Sequence, residues 1–316
     1  MTAPLSLSLT ARLAALIAAK PISDDDYRAA ALFTLDALAN ALAGRRTGPG
    51  AILLDWAAAE PLTTSREAML LGGLTHILEV DDLHRASVVH PGCVVVPAAY
   101  TLARRRNVSG RAFLAAILRG FEACCPVGMA VGAAHYRIWH NTATCGPFGS
   151  AYAAGDLFGL DHAAMTDALG NAGTQSSGLW QFLDTGAMSK HLHAGRAAEA
   201  GLLAADLAMR GFSGPPKILE GEKGFFKATC ADPAPAIGLM LGRDILKPVL
   251  PEIGGAGLDR LSSLVAGEHE VLRFWRRGRG MSQLELATAT GVSTKHLSFV
   301  ENGRARPSRQ LLVHLA

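Results

Sequence analysis

The sequence predicts an all-α protein. Apolar residues recur at helical spacing along most of the chain, and alternating strand patterns are scarce. In the segment that begins after Ser23, for example, Tyr27, Leu35 and Leu42 share one apolar face, which ends at Gly44. Most such segments are bounded by Gly, Pro or Asp-type residues, which commonly mark the ends of helices. Helices packed on helices are therefore the expected architecture.

The helices can be placed in chain order. Thr10 is predicted to cap a first helix over 11–19, and the run 23–26 is predicted to cap a second that ends at Gly44. Pro126 predicts a kink or break in one of the later helices. Those later helices are predicted at residues 66–77, 93–104, 110–131, 148–157, 162–172 and 195–209.

The amino-acid composition is typical of a folded protein with a large core. The 316 residues are 49% hydrophobic and 18% charged, which predicts a large buried core and argues against disorder. The five cysteines include no CxxC pair, so buried thiols in a reducing compartment are expected. The N-terminus lacks the features of a signal peptide, and charged residues interrupt the most apolar region. We therefore expect a soluble cytoplasmic protein with no membrane partner.

Two domains are predicted on either side of a linker. The segment 247–257 is rich in Pro and Gly, and the C-terminal part of the chain is basic, with eight Lys and Arg against three Asp and Glu from His269 onward. The remainder of the chain is nearly neutral, because the net charge of the whole chain is only +3. The predicted division is a helical domain at 5–246, a linker at 247–268 and a small basic domain at 269–316.

The first block of candidate functional residues runs from His76 to His90. It contains Glu79, Asp81, Asp82 and His84 at the end of an apolar helix, where such groups are unfavourable to bury without partners. A solvated helix terminus is the alternative interpretation. The spacing matches no standard zinc pattern, so no metal site is predicted.

Two further blocks carry imidazole and cationic groups. His140 precedes a segment with Gly146 and Gly149, which is predicted to begin a helix whose free amides could receive an anion. A structural histidine is the alternative there.

The third block holds Lys190, His193 and Arg196 near helical spacing, which favours a patch for carboxylates. An ordinary basic helix start is the alternative for this block.

Taken together, these blocks resemble the MmgE/PrpD family, the group of 2-methylcitrate dehydratases and cis-aconitate decarboxylases. The resemblance lies in the His-x-x-Glu-x-Asp-Asp loop at 76–82, the His-Pro-Gly turn at 90–92, the His at 140 and the Lys-x-x-His-x-Gly-x-Ala-Ala run at 190–198. Motifs at 211–215, 218–221 and 224–226 also look like that family. The match covers residues from about 5 to 226.

The resemblance implies a cofactor-free lyase that removes water or carbon dioxide from small di- or tricarboxylic acids, usually as a homodimer. By position, the catalytic residues would be Glu79, Asp82, His90, His140 and Lys190. The substrate-binding residues would be His84, His193 and Arg196. Such a reaction needs a base, an acid and cations that stabilise negative charge, and the sequence does not say which His is which.

Two departures from the family bear on this implication. Leu83 stands where the family commonly has Thr, and the sequence after Glu268 differs from the α/β lid domain with which family members continue. We therefore expect an MmgE/PrpD-type helical domain that lacks this lid, whose pocket is open to water and whose turnover is weakened.

The residue pattern of the basic C-terminal domain is typical of a helix-turn-helix. Ser282 and Gln283 can begin one helix, Gly291 makes a turn, and Ser293 can cap a second helix with Leu297 and Val300 facing inward.

This segment resembles the Cro and phage-repressor family, which implies binding to double-stranded DNA by a small helical bundle. By position, bases would meet Thr294, Lys295 and Ser298, and phosphates would meet Gln283, Asn302, Arg304, Arg273 and Arg277. A solvated basic surface is the alternative. The bundle is expected to be incomplete, because the sequence stops inside its fourth predicted helix.

The sequence leaves three functional hypotheses open. The chain is a lyase of the MmgE/PrpD type with an attached DNA-binding module, or a transcription regulator whose enzyme-like domain senses a carboxylate without catalysis, or a non-functional fusion of two gene fragments.

Overall fold

The computed structural model describes residues 8–230, 232, 276, 282–302 and 304–305. The chain divides into two units, Met1–Ile253 and Gly254–Ala316. The described residues form helices and no β-strand, which confirms the predicted all-α class. The predicted linker at 247–268 lies outside the described residues.

The N-terminal unit is built from ten α-helices among its described residues and a short 3-10 helix at Trp180–Asp184. The α-helices are α1 (Leu9–Ala19), α2 (Asp24–Gly44), α3 (Gly48–Ala58), α4 (Thr64–His76), α5 (Gly92–Arg106), α6 (Gly110–Tyr136), α7 (Asn141–Phe158), α8 (His162–Gly173), α9 (Ser189–Met209) and α10 (Phe225–Thr229). The described part of the C-terminal unit contains α11 (Gln283–Thr290) and α12 (Thr294–Glu301).

Side-chain caps explain where several helices begin. Ser23 caps α2 in a reciprocal arrangement with Asp26, as the acidic run after Ser23 predicts. The predicted start of α1 is two residues too late, because Ser8 accepts from the Ala11 amide and Thr10 is buried inside the helix. Serine is the better N-cap of the two residue types, in agreement with the observed start of the helix.

The break in α6 is also displaced from its predicted position. Pro126 lies within the helix, whereas Gly132 has φ 68° and ψ −174° and interrupts it. A residue without a Cβ adopts this conformation at little cost, so the glycine forms the break.

Helices α7 and α9 pack most closely at the centre of the N-terminal unit, where α7 also contacts α5, α6 and α8. A Cβ atom at Gly201 of α9 would lie 2.0 Å from the Ser150 Oγ atom and 2.4 Å from the Ala151 backbone nitrogen of α7. The Ser150 hydroxyl donates to the Ala197 carbonyl at 2.6 Å, which ties the same two helices together. This close approach fixes the middle turns of α7 and α9 relative to each other.

Helix α6 is long and apolar enough to cross a membrane, and it is the one helix of the described residues with these properties. However, 83% of its most apolar window is buried inside the protein. It packs against α7 and contributes Phe121 and Ile117 to the core, so its apolar character is accounted for by burial.

We expect Gly201→Ala to destabilise the chain by about 2–3 kcal/mol, because the added methyl group collides with α7 backbone and cannot be accommodated by a flexible side chain. Gly110→Ala is the matched control, since nothing lies within 4 Å of a Cβ there. The control should be neutral or stabilise by up to about 1 kcal/mol. Urea unfolding followed by circular dichroism compares the two, and equal free energies of unfolding would contradict this packing.

Candidate functional site

The loop between α4 and α5, residues 77–91, has an unusual backbone. Glu79 and Val88 both adopt positive φ values, 55° and 52°, which non-glycine residues rarely do and β-branched residues almost never do. The loop is held across its width by the His84 amide, which donates to the Val89 carbonyl at 2.9 Å. Strain that the surroundings hold in place is common at functional sites.

Glu79 and Lys190 form an ion pair. The Lys190 Nζ atom lies 2.7 Å from Glu79 Oε2, which joins the loop to the first turn of α9. Partial burial would raise the pKa of Glu79, but Lys190 lowers it below its ordinary value by hydrogen bonding and charge attraction. The carboxylate is about half exposed and the lysine only 15% exposed, so the pair lies at the surface end of the site.

His140 and His193 meet at the start of α7. Their Nδ1 atoms are 3.3 Å apart, and the His140 ring also contacts Trp180, with ring centroids 4.6 Å apart. Burial, followed by the charge of His76, lowers the pKa of both imidazoles, and that of His140 falls well below its ordinary value. Neutral rings at neutral pH can accept protons, which protonated rings cannot.

A second group of imidazoles lies beneath this pair. His76 Nδ1 is 2.9 Å and 3.2 Å from the two oxygens of Asp81, and His90 Nδ1 is 3.5 Å from the same carboxylate. The His76 ring contacts that of His90 at 4.7 Å between centroids and stacks on that of His140 at 5.7 Å. A chain of rings therefore connects the buried Asp81 to the pair at the start of α7.

His76 and Asp81 were not among the predicted site residues. Both lie in the first candidate block, so the clustering of acidic and imidazole groups was the signal that pointed to them. Sequence spacing could not identify them individually, because their contact depends on the turn after α4.

The Asp81 carboxylate remains charged despite its burial. Burial alone would raise its pKa, but His76 and His90 together lower it well below the ordinary range. A buried carboxylate in this state needs compensating partners. The two imidazoles provide them.

Asp82 and His84 make contacts that support the loop. Both oxygens of Asp82 accept from the Gly92 amide, at 2.9 and 3.1 Å, at the beginning of α5. Burial raises the pKa of Asp82 well above its ordinary value, and the charges of Asp36 and Asp81 raise it further. His84 has no exposed surface, and its Nδ1 atom is 2.7 Å from the Ser87 hydroxyl. Their predicted catalytic and substrate-binding roles stay predictions.

The other two predicted substrate-binding residues line a cavity. His193 and Arg196 border a space of about 630 Å³, a size typical of small-molecule sites, together with Leu179, Phe182 and Leu192. Arg196 forms an ion pair with Glu199 within α9. Lys190 and Arg196 therefore have different ionic partners, although both lie on the same helix.

The glycines after His140 have a different role from the one predicted. Helix α7 begins at Asn141, so Gly146 and Gly149 lie inside it rather than at its start. A Cβ atom at Gly149 would lie 2.8 Å from the Gly120 carbonyl oxygen. These glycines allow close helix packing, and their predicted position at the start of the helix is wrong.

One group among the described residues could hold a metal ion. Ligand atoms of His76, Asp81 and His90 all lie within 4.8 Å of one another. The shorter distances, 2.9 and 3.2 Å, are also those of an imidazole that donates to a carboxylate. The geometry is thus accounted for by a hydrogen bond, and the absence of a metal site stays a prediction.

The C-terminal unit has the predicted helix-turn-helix elements. Ser282 caps α11, Gly291 ends it with φ 67°, and Ser293 caps α12. Leu286, Ala287, Leu297 and Val300 are buried between the two helices, whereas Leu284 is 64% exposed.

The predicted DNA-contacting residues differ in their exposure. Thr294 and Lys295 are exposed at the first turn of α12, Ser298 is half-buried, and Asn302 and Arg304 are exposed beyond it. Gln283 donates to the buried Glu301 at 2.7 Å. Arg273 and Arg277 lie outside the described residues.

Glu301 is the buried charge of this unit. It has no exposed surface and accepts from Arg276 Nη2 at 3.0 Å as well as from Gln283. Two charge-assisted bonds to one carboxylate fix the end of α12.

Comparisons with known proteins agree with this structure. The MmgE/PrpD N-terminal domain family model matches residues 9–237, and a helix-turn-helix model matches residues 272–316. A cis-aconitate decarboxylase-like protein, oryM, of Aspergillus oryzae is 34% identical over 172 residues, which cover 50% of this chain and 35% of that protein. The cis-aconitate decarboxylases of Aspergillus terreus and Homo sapiens are 32% identical over 166 residues and 30% identical over 164 residues.

Each of these last two alignments covers 50% of this chain and 34% of the relative. The chain thus spans about a third of the length of the curated relatives it matches. The family model covers well over half of the chain, and the polar residues of the site lie within the matched region. The chain belongs to the MmgE/PrpD family and carries a helix-turn-helix segment at its C-terminal end.

Proposed function

We propose that the N-terminal unit binds a small di- or tricarboxylic acid and acts on it as a lyase of the dehydratase or decarboxylase type. The observation that carries this proposal is that two contacting pairs share the start of α9, Lys190 with Glu79 and His193 with His140. The charge of Lys190 also acts on His140 and helps to lower its pKa. A cation beside neutral imidazoles suits an anionic substrate that must exchange protons.

Lys190 is the residue best placed to bind a carboxylate. Its present partner, Glu79, is about half exposed, so an incoming carboxylate group can compete for the ammonium group. Lys190 then neutralises the charge that develops on the substrate, while Glu79 is displaced towards solvent. The strained backbone at Glu79 favours a loop that changes conformation at this point.

The imidazoles supply the proton steps. Removal of water requires a base for the proton next to a carboxylate and an acid for the departing hydroxyl group. His140, whose pKa is lowered by burial, is a neutral acceptor in the free protein. His90, whose side chain is more exposed than that of His76, is a second imidazole that can accept a proton. A ring that has taken the proton can then give it to the departing hydroxyl group.

The relatives named cis-aconitate decarboxylases make cis-aconitate the first acid to test on this chain. Because the chain spans only about a third of the length of these relatives, their full activity is itself part of the proposal. We further propose that the unit extends over residues 5–246, that it forms a homodimer and that the protein is cytoplasmic.

The C-terminal unit is proposed to bind double-stranded DNA through α12. Support comes from the exposed first turn of this helix, with Thr294 and Lys295, and from the match to the helix-turn-helix model. A regulator that senses a carboxylic acid is the alternative to a lyase with a DNA-binding module. The two differ in whether the acid is consumed and in whether it changes DNA affinity.

Lys190→Ala should weaken binding of cis-aconitate by about 10–100-fold, because a charge-assisted hydrogen bond contributes about 1.5–3 kcal/mol. His140→Ala should abolish any release of carbon dioxide or exchange of water while the protein stays folded. Calorimetry measures binding, and a carbon dioxide assay together with NMR of the acid measures turnover.

The matched controls for these variants are Lys217→Ala and His162→Ala, which remove exposed residues outside the site. Binding that is lost equally in Lys190→Ala and Lys217→Ala would argue against a site at the start of α9.

Lys295→Ala should weaken duplex binding and lower the slope of log affinity against log salt by about 1, because one positive charge that displaces a counterion from the duplex is lost. Lys223→Ala, an exposed lysine of the N-terminal unit, is the control and should leave the slope unchanged. Fluorescence anisotropy at several salt concentrations, with and without cis-aconitate, makes the measurement. DNA binding with a salt slope equal in both variants would place the contact elsewhere.

A further inference from the structure

Asp81 is a buried carboxylate that faces two imidazoles. Its side chain has no exposed surface, and its nearest basic groups are His76 Nδ1 at 2.9 Å and His90 Nδ1 at 3.5 Å. Both rings thus present the same nitrogen atom to one carboxylate. This shared orientation has a chemical consequence, because the Nδ1 and Nε2 atoms of a neutral imidazole have opposite hydrogen-bonding roles.

We propose that Asp81 is a positioning residue that keeps the proton of both rings on Nδ1. His90 then presents an unprotonated Nε2 atom, which can accept a proton in the proposed substrate site. An ionised carboxylate can only accept hydrogen bonds, so a ring nitrogen that binds it must carry the proton. The bond made by one ring nitrogen then fixes the state of the other.

Of the two rings, that of His90 is the one exposed enough to contact a substrate. Its side chain is 17% exposed, whereas that of His76 is fully buried. The backbone amide of His90 donates to the Thr142 hydroxyl at 3.0 Å, which fixes the residue against the beginning of α7. His76 lies behind it and stacks on His140.

The contact between His90 and Asp81 falls short of a hydrogen bond. His90 Nδ1 is buried and has no hydrogen-bond partner, and 3.5 Å is longer than a normal hydrogen bond. Leaving a buried donor unpaired is unfavourable. A shift of about half an ångström would complete the bond, and catalytic hydrogen bonds often tighten when the ligand binds.

A bound metal ion would require the opposite proton arrangement. If His76 and His90 coordinated a cation beside Asp81 through Nδ1, these atoms would be unprotonated and Nε2 would carry the proton. The position of the ring protons therefore separates a positioning carboxylate from a metal ligand. The use of His90 in catalysis rests on the proposed function, but the tautomers of the free protein do not.

The test is ¹⁵N NMR of the imidazoles in the full chain without ligand, with His76→Gln and His90→Gln to assign the two rings. We expect both rings to carry the proton on Nδ1 in the wild-type protein. A wild-type His90 that is protonated on Nε2 overturns the proposal, and so does a stoichiometric metal ion in the purified chain.

The matched variants are Asp81→Asn and Asp36→Asn. An amide at position 81 can donate as well as accept, so at least half of the His90 rings should change to the Nε2-protonated form. In Ser-His-Asp hydrolases, a comparable exchange produces the wrong tautomer and lowers kcat about 10⁴-fold. Asp36 is another carboxyl group nearby, half-buried and with a pKa raised by burial to about 6, and its replacement should leave both tautomers unchanged.

Unchanged tautomers in Asp81→Asn contradict the proposal, as does an equal change in Asp36→Asn. Addition of cis-aconitate to the wild-type sample tests the proposed function separately. If the acid does not bind, the lyase proposal fails while the tautomers still decide the role of Asp81.

Discussion

The buried charge of Asp81 is the constraint on which the N-terminal site depends. A carboxylate without exposed surface must be compensated, and the imidazoles of His76 and His90 are the basic groups that contact it. The His76 ring in turn stacks on that of His140, which meets His193 from α9. The polar groups of the site are therefore coupled through one buried anion.

Close helix packing makes this arrangement possible. Gly201 allows the backbone of α9 to approach α7, so that His140 and His193 can meet across the two helices. Gly149 likewise allows α7 to approach α6. The small residues of these helices do not bind ligand, but the distances between imidazoles depend on them. Stability and site geometry thus share the same contacts.

Much of the fold and part of the site can be predicted from sequence. Periodicity located most helices, and the ordered motifs pointed to Glu79, His140, Lys190 and His193, which the structure brings into two contacting pairs. Helix α7 begins seven residues earlier than its predicted start, since Gly146 and Pro147 look like helix stops but are stabilised by tertiary packing. The pairing of Asp81 with His76 depends on a strained loop whose conformation periodicity does not encode.

The claim that these groups form one anion-accepting site is tested most directly by a crystal structure of the chain with cis-aconitate bound. The account predicts a carboxylate of the acid within hydrogen-bond distance of Lys190 Nζ, in place of Glu79, and the rest of the acid against the His140 and His193 rings. An acid bound elsewhere, with the Glu79–Lys190 pair intact, would contradict it.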